Sequence, residues 1–170
     1  LLEEMSPDDA ADILHELGEG DRERIFEQLE DEDAAEIESL MVYDPDTAGG
    51  VMNIQIFDLD QNLTVDQAVS LIRKEAEETE IPYYVYLVDS HDKLKGVLSL
   101  RDILVAPSGT RLLDLIDGQV LVSTTFDVHQ EEVARLISHY NFVAMPVTDY
   151  DGKLLGVVSV GDVIDIIHEE

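Results

Sequence analysis

Hydrophobic residues in the first part of the chain recur at the three- to four-residue spacing of amphipathic helices. Ser6-Pro7 is typical of a helix start, and Gly18 is typical of a helix end. The apolar positions of this first helix are Ala10, Ile13, Leu14 and Leu17. Similar runs predict a second helix from about Asp21 and a third from about Asp31. Three short helices in series predict a small superhelical stack.

The spacing changes after residue 48, where short apolar runs that predict strands alternate with helical runs. The first series predicts strands Ile54–Leu59, Tyr83–Val88 and Leu94–Leu98, and helices Thr64–Ile72 and Arg101–Val105. The second series predicts strands Gln119–Ser123, Val143–Val147 and Leu154–Val158, and helices Val128–His139 and Gly161–His168. Both series have the order β-α-β-β-α, so the second repeats the first.

A short phrase marks the repeat, because "GVLSLRD" at 96–102 returns as "GVVSVGD" at 156–162. From Ile81 onward the two copies align at a constant offset of sixty residues, and the first copy has a short insertion around Arg73–Glu80. Repetition at this period indicates a tandem pair in which each copy is too small to be stable alone. We therefore predict an α+β protein with domains at residues 1–48, 49–108 and 109–170.

The polar residues of the repeated phrase have two interpretations. Gly96 and Gly156 are expected at strand ends, where their small size lets another backbone or a ligand approach. Each phrase then carries a Ser followed three residues later by an Asp, which is the spacing of a capping box. The same arrangement can hold a phosphate and accept hydrogen bonds from ribose hydroxyls. The motif alone favours the cap, whereas its presence in two copies favours a ligand in clefts between them.

The charge balance restricts the functions that the chain can have. It has 39 acidic and 10 basic residues, a net charge of −29, and residues 1–48 alone hold 18 acidic and two basic residues. Such a surface attracts cations and excludes nucleic acid as a partner. The chain lacks cysteine, a P-loop and a nucleophile elbow, and its five histidines are scattered, so we expect no enzyme.

Two β-α-β-β-α copies, each ending in a G-h-h-S-x-x-D pattern, resemble a tandem pair of cystathionine-β-synthase (CBS) domains. Four longer stretches point to one family of CBS proteins in particular. They are "YDPDTAGGVMN" at 43–53, "YYVYLVD" at 83–89, "GVLSLRDILVA" at 96–106 and "VVSVGDVIDIIHEE" at 157–170. With its acidic helical start, nearly the whole chain resembles the cytosolic part of MgtE-type magnesium transporters. The resemblance implies a transmembrane pore domain after Glu170, a missing first part of the helical domain and homodimerisation through the CBS domains. It also implies a soluble fragment at the cytoplasmic face of the cell membrane.

The resemblance implies a magnesium sensor that gates the pore. Mg²⁺ between acidic surfaces of the helical and CBS domains would hold them together and close the pore, and its loss would let the carboxylates repel each other. Mg²⁺ prefers hard oxygen ligands, and the metal candidates are Asp162, Asp165, Glu169, Asp44 and Asp46. The first three share one face of the last helix, for which an ordinary solvated face is the alternative. Asn141 stands where the family often has Asp, which weakens one site.

The resemblance also implies that ATP or another adenosine nucleotide binds. The residues that match the family's positions are Tyr84, Ser99, Arg101 and Asp102 in the first repeat, and Phe142, Ser159 and Asp162 in the second. Core packing explains Tyr84 and Phe142 equally well. Gly161 stands where the first repeat has Arg101, so we expect the two clefts to differ.

A second hypothesis is a stand-alone CBS pair that senses adenosine nucleotides and regulates a partner enzyme. The acidic helical stack favours the magnesium sensor, because an energy sensor has no need of this concentration of negative charge.

Overall fold

The computed structural model describes residues 7–18, 20–21, 24–25, 41–77 and 83–168. Its elements are α1 Pro7–His15, α2 Ala48–Val51, β1 Asp58–Asp60, α3 Val65–Ala76, β2 Tyr84–Val88, β3 Leu94–Ser99, α4 Leu100–Val105, α5 Leu112–Leu115, β4 Thr124–Thr125, α6 Gln130–Tyr140, β5 Ala144–Thr148, β6 Leu154–Ser159 and α7 Val160–His168. The predicted helices from Asp21 and Asp31 lie largely outside the described residues. None of the helices in the described ranges is long and apolar enough to cross a membrane.

Each repeat forms a three-stranded sheet, and that of the first repeat is mixed. In the first, β1 runs parallel to β2, and β2 runs antiparallel to β3. In the second, β4 runs parallel to β5, and β6 lies on the other side of β5. The sixty-residue offset is kept, since β5, β6 and α7 begin at 144, 154 and 160 where β2, β3 and α4 begin at 84, 94 and 100. The predicted α+β class and the tandem repeat are therefore confirmed.

Helix α3 shows how the sequence places the core of the first repeat. Thr64 begins the helix through a capping box with Gln67, and Val65, Ala68 and Ile72 then fall on one buried face. The core consists of Leu59, Val65, Ala68, Ile72, Val85, Leu87, Leu98, Ile103, Leu112 and Ile116. Its last two members belong to the stretch of chain that leads into the second repeat. Burial of each such side chain stabilises the fold by about 1.5–3 kcal/mol.

The chain forms two compact units, and each combines segments that are distant in sequence. Among the described residues, unit I contains those of 1–55, 123–150 and 155–170, and unit II contains those of 56–122 and 151–154. Helices α1 and α2 precede the first repeat, yet they belong to the unit that holds the second. The predicted domain boundaries follow the repeat along the chain and stay a prediction.

The segment that leads into each repeat packs on the other repeat. We call residues 108–119 the second exchanged segment, because they precede the second repeat but lie in unit II. There Leu112 N donates to Leu63 O at 2.9 Å, and Leu113 N donates to Gln61 O at 3.0 Å. In a third backbone bond, Val65 N donates to Thr110 O at 2.8 Å.

Residues 44–53, which we call the first exchanged segment, make the same three backbone bonds in unit I. Ala48 N donates to Val128 O and Gly49 N donates to Phe126 O, both at 2.8 Å. Gln130 N donates to Asp46 O at 2.7 Å. The two repeats therefore exchange equivalent segments, and each completes its core with residues that precede the other.

The exchange explains the glycines of the repeated phrase. A Cβ atom on Gly156 would lie 2.8 Å from Asn53 O and 2.8 Å from Met52 Sδ, and a Cβ atom on Gly96 would lie 2.6 Å from Ile116 Cγ2. These contacts are closer than Cβ atoms tolerate, so only glycine admits the exchanged segment. Both glycines are the third residue of a six-residue strand and not at its end, which corrects the sequence-based placement.

Two predicted strands are wrong for the same reason. Of Ile54–Leu59, only the last two residues belong to β1, and Gln119–Ser123 forms no strand, since β4 begins at Thr124. These apolar stretches adjoin or belong to the exchanged segments, whose hydrogen bonds to the strands are made at isolated points and not along a ladder. One such point is the pair formed by Asn53 and Val157, and the other is the Gln119 amide, which bonds both backbone groups of Val97 at 3.0 and 2.8 Å.

The glycine contacts predict a graded loss of stability. Gly156→Ala should lower the free energy of unfolding by about 2–3 kcal/mol, because it drives Cβ against the Asn53 carbonyl oxygen. Gly96→Ala should cost about 1–2 kcal/mol, since it meets side-chain atoms that can shift. Chemical denaturation followed by circular dichroism measures both.

Gly161→Ala is the matched control. Gly161 lies exposed in the first turn of α7, and the nearest atom to an added Cβ is 3.7 Å away. Because alanine favours helix over glycine, this variant should gain up to about 1 kcal/mol. Equal effects at all three positions would contradict the packing argument.

Candidate functional site

Ser99 and Asp102 form a reciprocal cap at the start of α4. Asp102 N donates to Ser99 Oγ at 3.0 Å, and Ser99 N donates to Asp102 Oδ2 at 3.0 Å. The pair thereby satisfies two backbone donors, which is worth about 1 kcal/mol in a typical helix. The capping box predicted from the Ser-x-x-Asp spacing is confirmed for the first phrase.

Ser159 and Asp162 repeat the cap at the start of α7, where both are half-buried. Asp162 Oδ2 accepts from Ser159 N at 3.0 Å and from Ser159 Oγ at 2.8 Å. Asp162 N lies 3.3 Å from Ser159 Oγ. One oxygen of the Asp162 carboxylate is thus engaged in holding the helix start, and its assignment as a metal ligand stays a prediction.

Four predicted nucleotide residues come together at one end of the sheet in unit II. Tyr84 opens β2 directly opposite Ser99, the last residue of β3, and is half-buried. Leu100 N donates to Tyr83 O at 2.9 Å, and this bond connects the start of α4 to the residue before β2. Arg101 and Asp102 follow, exposed, in the first turn of α4. The group offers an aromatic ring, a hydroxyl, a cation and a carboxylate within a few residues of one another.

The corresponding end of the second sheet carries different side chains. Phe142 precedes β5, is half-buried and stacks on Tyr140 with ring centroids 5.3 Å apart and planes 12° apart. Val160 N donates to Val143 O at 2.7 Å, which is the equivalent of the bond between Leu100 N and Tyr83 O in unit II. Asn141 ends α6 with a φ of 55°, a left-handed conformation that Asn tolerates well. Its identity therefore has a local structural reason.

Asp44 and Asp46 lie in the turn of the first exchanged segment, and both are exposed. Asp44 Oδ1 accepts from Asp46 N at 3.0 Å, while Asp44 O accepts from Thr47 Oγ1 at 2.7 Å. Among the predicted partners, the Asp165 side chain and Glu169 are outside the described residues. Within those residues, no three acidic or histidine side chains are close enough together to enclose a metal ion.

The structure adds a group of acids at α1 that were not among the predicted metal ligands. The pKa of Asp12 is raised to about 6 by burial and then by the charges of its neighbours. Those neighbours are Asp8, Asp9, Glu16 and Asp46. Three of these acids follow a four-residue spacing, Asp8, Asp12 and Glu16, which is one face of a helix and was visible in the sequence.

Asp46 is both a predicted metal ligand and one of the charges that raise the pKa of Asp12. It reaches Asp12 electrostatically from the first exchanged segment, so acids that are more than thirty residues apart in sequence act on one another within unit I. We call Asp8, Asp9, Asp12, Glu16 and Asp46 the α1 acid group. Mutual repulsion in such a group is relieved by a proton or by a cation.

Family models match almost the entire chain. The model of the MgtE intracellular N domain matches residues 1–46, and the model of the CBS domain matches 48–109 and 121–169. The magnesium transporter MgtE of Thermus thermophilus is 40% identical over 168 residues, which are 97% of this chain and 37% of the relative. That of Enterococcus faecalis is 42% identical over 139 residues, 82% of this chain and 30% of the relative. The chain therefore spans about a third of the length of these relatives.

Solved structures agree with the sequence comparisons. The soluble part of a magnesium transporter is 39% identical, with a TM-score of 0.90, over 99% of this chain and 65% of that one. The cytosolic domain of the Mg²⁺ channel MgtE in complex with ATP has the same identity and TM-score, over 97% of this chain and 67% of that one. The chain belongs to the MgtE family, with an MgtE intracellular N domain followed by a pair of CBS domains.

Proposed function

We propose that the chain is the Mg²⁺-sensing regulatory region of a magnesium transporter. The observation that carries the proposal is the α1 acid group, in which Asp46 of the first exchanged segment adds its charge to the acids of α1. Burial, and then the charges of the neighbouring carboxylates, raise the pKa of Asp12 in this group to about 6. A divalent cation bound between these carboxylates would attract each of them and so offset their mutual repulsion.

Magnesium suits this loose arrangement of carboxylates. It holds several of its water ligands and is commonly bound through only one or two carboxylates. The carboxylates can then act across water, which agrees with the lack of a tight three-ligand cluster in the described part of the chain. We assign Asp44, Asp46, Asp162, Asp165 and Glu169 as the residues that meet the ion, together with the α1 acid group.

The regulatory step follows from the same electrostatics. With Mg²⁺ bound, the acidic surfaces of the N and CBS domains stay together and the pore is closed, and without it they repel and the pore opens. The pore would be the transmembrane part of the same protein, at the cytoplasmic face of the membrane, and the CBS domains would form a homodimer. The names of three relatives support this role, since those that are 34–42% identical over at least 82% of the chain are magnesium transporters.

A second ligand, an adenosine nucleotide such as ATP, is supported by the residues at the end of the unit II sheet. Tyr84 would stack on the base, Arg101 would meet a phosphate, and Ser99 and Asp102 would bond the ribose or phosphate. In the second repeat, Phe142 and Ser159 take these roles. A similar solved structure is described as a complex with ATP. A stand-alone nucleotide sensor explains the α1 acid group less well than a cation sensor does.

The raised pKa of Asp12 predicts a dependence of stability on pH. Because this pKa is about 6 in the folded chain and 3.8 in the reference state, the folded state binds a proton that the unfolded state lacks between these values. Stability is therefore lost as the pH rises from 4 to 6. Asp12→Asn should be more stable than the parent at pH 7, by about 1–2 kcal/mol after solvent screening, and nearly equal to it at pH 4.

Asp117→Asn is the control for this comparison, since Asp117 is an exposed aspartate in unit II. Denaturation at pH 4, 5, 6 and 7 measures all three proteins. If Asp12→Asn and Asp117→Asn follow the same pH profile, Asp12 is not repelled by its neighbours.

Magnesium itself should stabilise the chain specifically. At a concentration one hundred times the Kd, binding is worth about 2.7 kcal/mol, and NaCl at equal ionic strength should give much less. Asp165→Asn should reduce this gain, because it removes a charge and weakens a hard-oxygen ligand. Thermal unfolding with and without Mg²⁺ measures the effect.

Glu77→Gln is the matched control, because Glu77 is an exposed acid at the end of α3 in the other unit. It should keep the full gain from Mg²⁺. An equal gain from Na⁺ would show screening without a site, and an equal response of the two variants would remove Asp165 from the ligands.

Asp102→Ala tests the nucleotide proposal against the cap. Loss of the cap should lower stability by about 1 kcal/mol whether or not a ligand is present. If Asp102 also bonds ribose, titration calorimetry should show an affinity for ATP reduced about tenfold or more, while Mg²⁺ stabilisation is kept. An unchanged affinity would leave the cap as the only role of Asp102. If the parent chain gives no heat of binding with ATP or AMP, the proposal that it binds an adenosine nucleotide is contradicted.

A further inference from the structure

Three aromatic rings connect the start of the first exchanged segment to the second repeat. The Tyr43 ring lies 5.6 Å from the Phe126 ring at 49°, and the Phe126 ring lies 5.2 Å from the Tyr150 ring at 58°. The Tyr150 hydroxyl donates to the Asp127 carboxylate, which also accepts from Thr125 Oγ1 at 2.7 Å. Tilted ring pairs at these distances are favourable beyond the apolar area that they bury.

The Tyr43 ring also packs against the backbone of its own segment. A Cβ atom on Gly49 would lie 2.7 Å from Cγ and Cδ1 of Tyr43. Because Gly49 N donates to Phe126 O, the ring covers a place where the segment is already bonded to the second repeat. Tyr43, next to the Asp44–Asp46 turn, therefore packs both on Gly49 of the first exchanged segment and on Phe126 of the second repeat.

The two exchanged segments are anchored by different means. In unit II, the Asp66 carboxylate accepts from Ser108 Oγ and Gly109 N, both at 2.9 Å, and holds the turn before Thr110. The three shared backbone bonds make Asp46 the counterpart of Thr110. The turn in unit I thus carries acids itself, so a carboxylate anchor there would be repelled. An uncharged ring anchors such a turn without adding to the repulsion.

We infer that Tyr43, which packs on Phe126 and through it on Tyr150 in an aromatic clasp, is a positioning residue that holds Asp46 within reach of the acids of α1. The inference rests on the proposed cation-sensing function. Without the clasp, repulsion would push the Asp44–Asp46 turn away from α1. A cation would then have to draw the turn back before it could bind. With the clasp, the acids are preorganised, and the cation meets them without that cost.

Tyr43→Ala tests the clasp through amide exchange and through the response to Mg²⁺. In the parent, the amides of Ala48 and Gly49 should be protected, and in Tyr43→Ala their exchange should be about tenfold faster or more. The Mg²⁺ concentration that gives half of the maximal thermal stabilisation should rise about threefold to tenfold. Tyr43→Phe keeps the ring and should restore both values.

Two further variants separate positioning from simple loss of stability. Tyr140→Ala removes a ring that belongs to another aromatic pair of unit I, in which it stacks on Phe142. It should lower the melting temperature while the Mg²⁺ midpoint stays unchanged. Gly49→Ala keeps all three rings but displaces the Tyr43 ring, and it should raise the midpoint as Tyr43→Ala does.

The outcomes for the clasp and for the cation sensor are distinct. A parent chain that gains no more from Mg²⁺ than from Na⁺ contradicts the proposed function, and the exchange rates still decide whether Tyr43 holds the turn. Unchanged exchange in Tyr43→Ala overturns the clasp. Faster exchange with an unchanged Mg²⁺ midpoint overturns the positioning role, because Tyr43 would then serve stability alone.

Discussion

The close approach of a chain segment to the middle of a strand is the constraint on which this structure depends. Each repeat leaves part of its sheet to be covered by residues that precede the other repeat, and they can come close only because Gly96 and Gly156 lack a Cβ atom. Leu112 and Ile116 complete one core in this way, and Met52 is buried in the other unit. The glycines of the repeated phrase therefore have a structural role in the exchange of segments, whether or not a ligand binds.

The exchange also places the charges on which the proposed function rests. Because the first exchanged segment is bonded to the second repeat through Asp46 O, Ala48 N and Gly49 N, its acidic turn belongs to unit I. Asp46 can then act on Asp12 and raise its pKa. A fold without the exchange would leave this turn as a connection to the first repeat. The same backbone bonds that complete a hydrophobic core thus collect negative charge where a cation can neutralise it.

At the helix starts, the residues that have a structural role are also residues proposed to bind a ligand. Ser99 with Asp102 and Ser159 with Asp162 satisfy backbone donors of α4 and α7. A carboxylate with one oxygen in a cap keeps its position, and a positioned group binds a ligand at a lower entropic cost. The cap and the ligand are therefore compatible, and the residues that hold the fold are also those that a family resemblance assigns to binding.

The sequence by itself determined the elements and their repetition, because the hydrophobic spacing and the helix caps are local properties. Thr64 and Ser99 mark helix starts by residue type alone, and the sixty-residue offset follows from the repeated phrase. The resemblance that the motifs carry was sufficient to identify the family. The strands expected at Ile54–Leu59 and Gln119–Ser123 were misplaced, since an apolar run does not reveal whether it pairs along a ladder or crosses at one point.

Only the tertiary structure decided which repeat each segment joins, and with it the composition of the α1 acid group. The four-residue spacing of Asp8, Asp12 and Glu16 is visible in the sequence, but the same spacing is found on any solvated helix face. The pKa of Asp12 depends first on burial, then on its neighbours near α1, and last on Asp46, which is distant along the chain. Charge interactions depend on distance through space, and that distance is set by the exchange of segments.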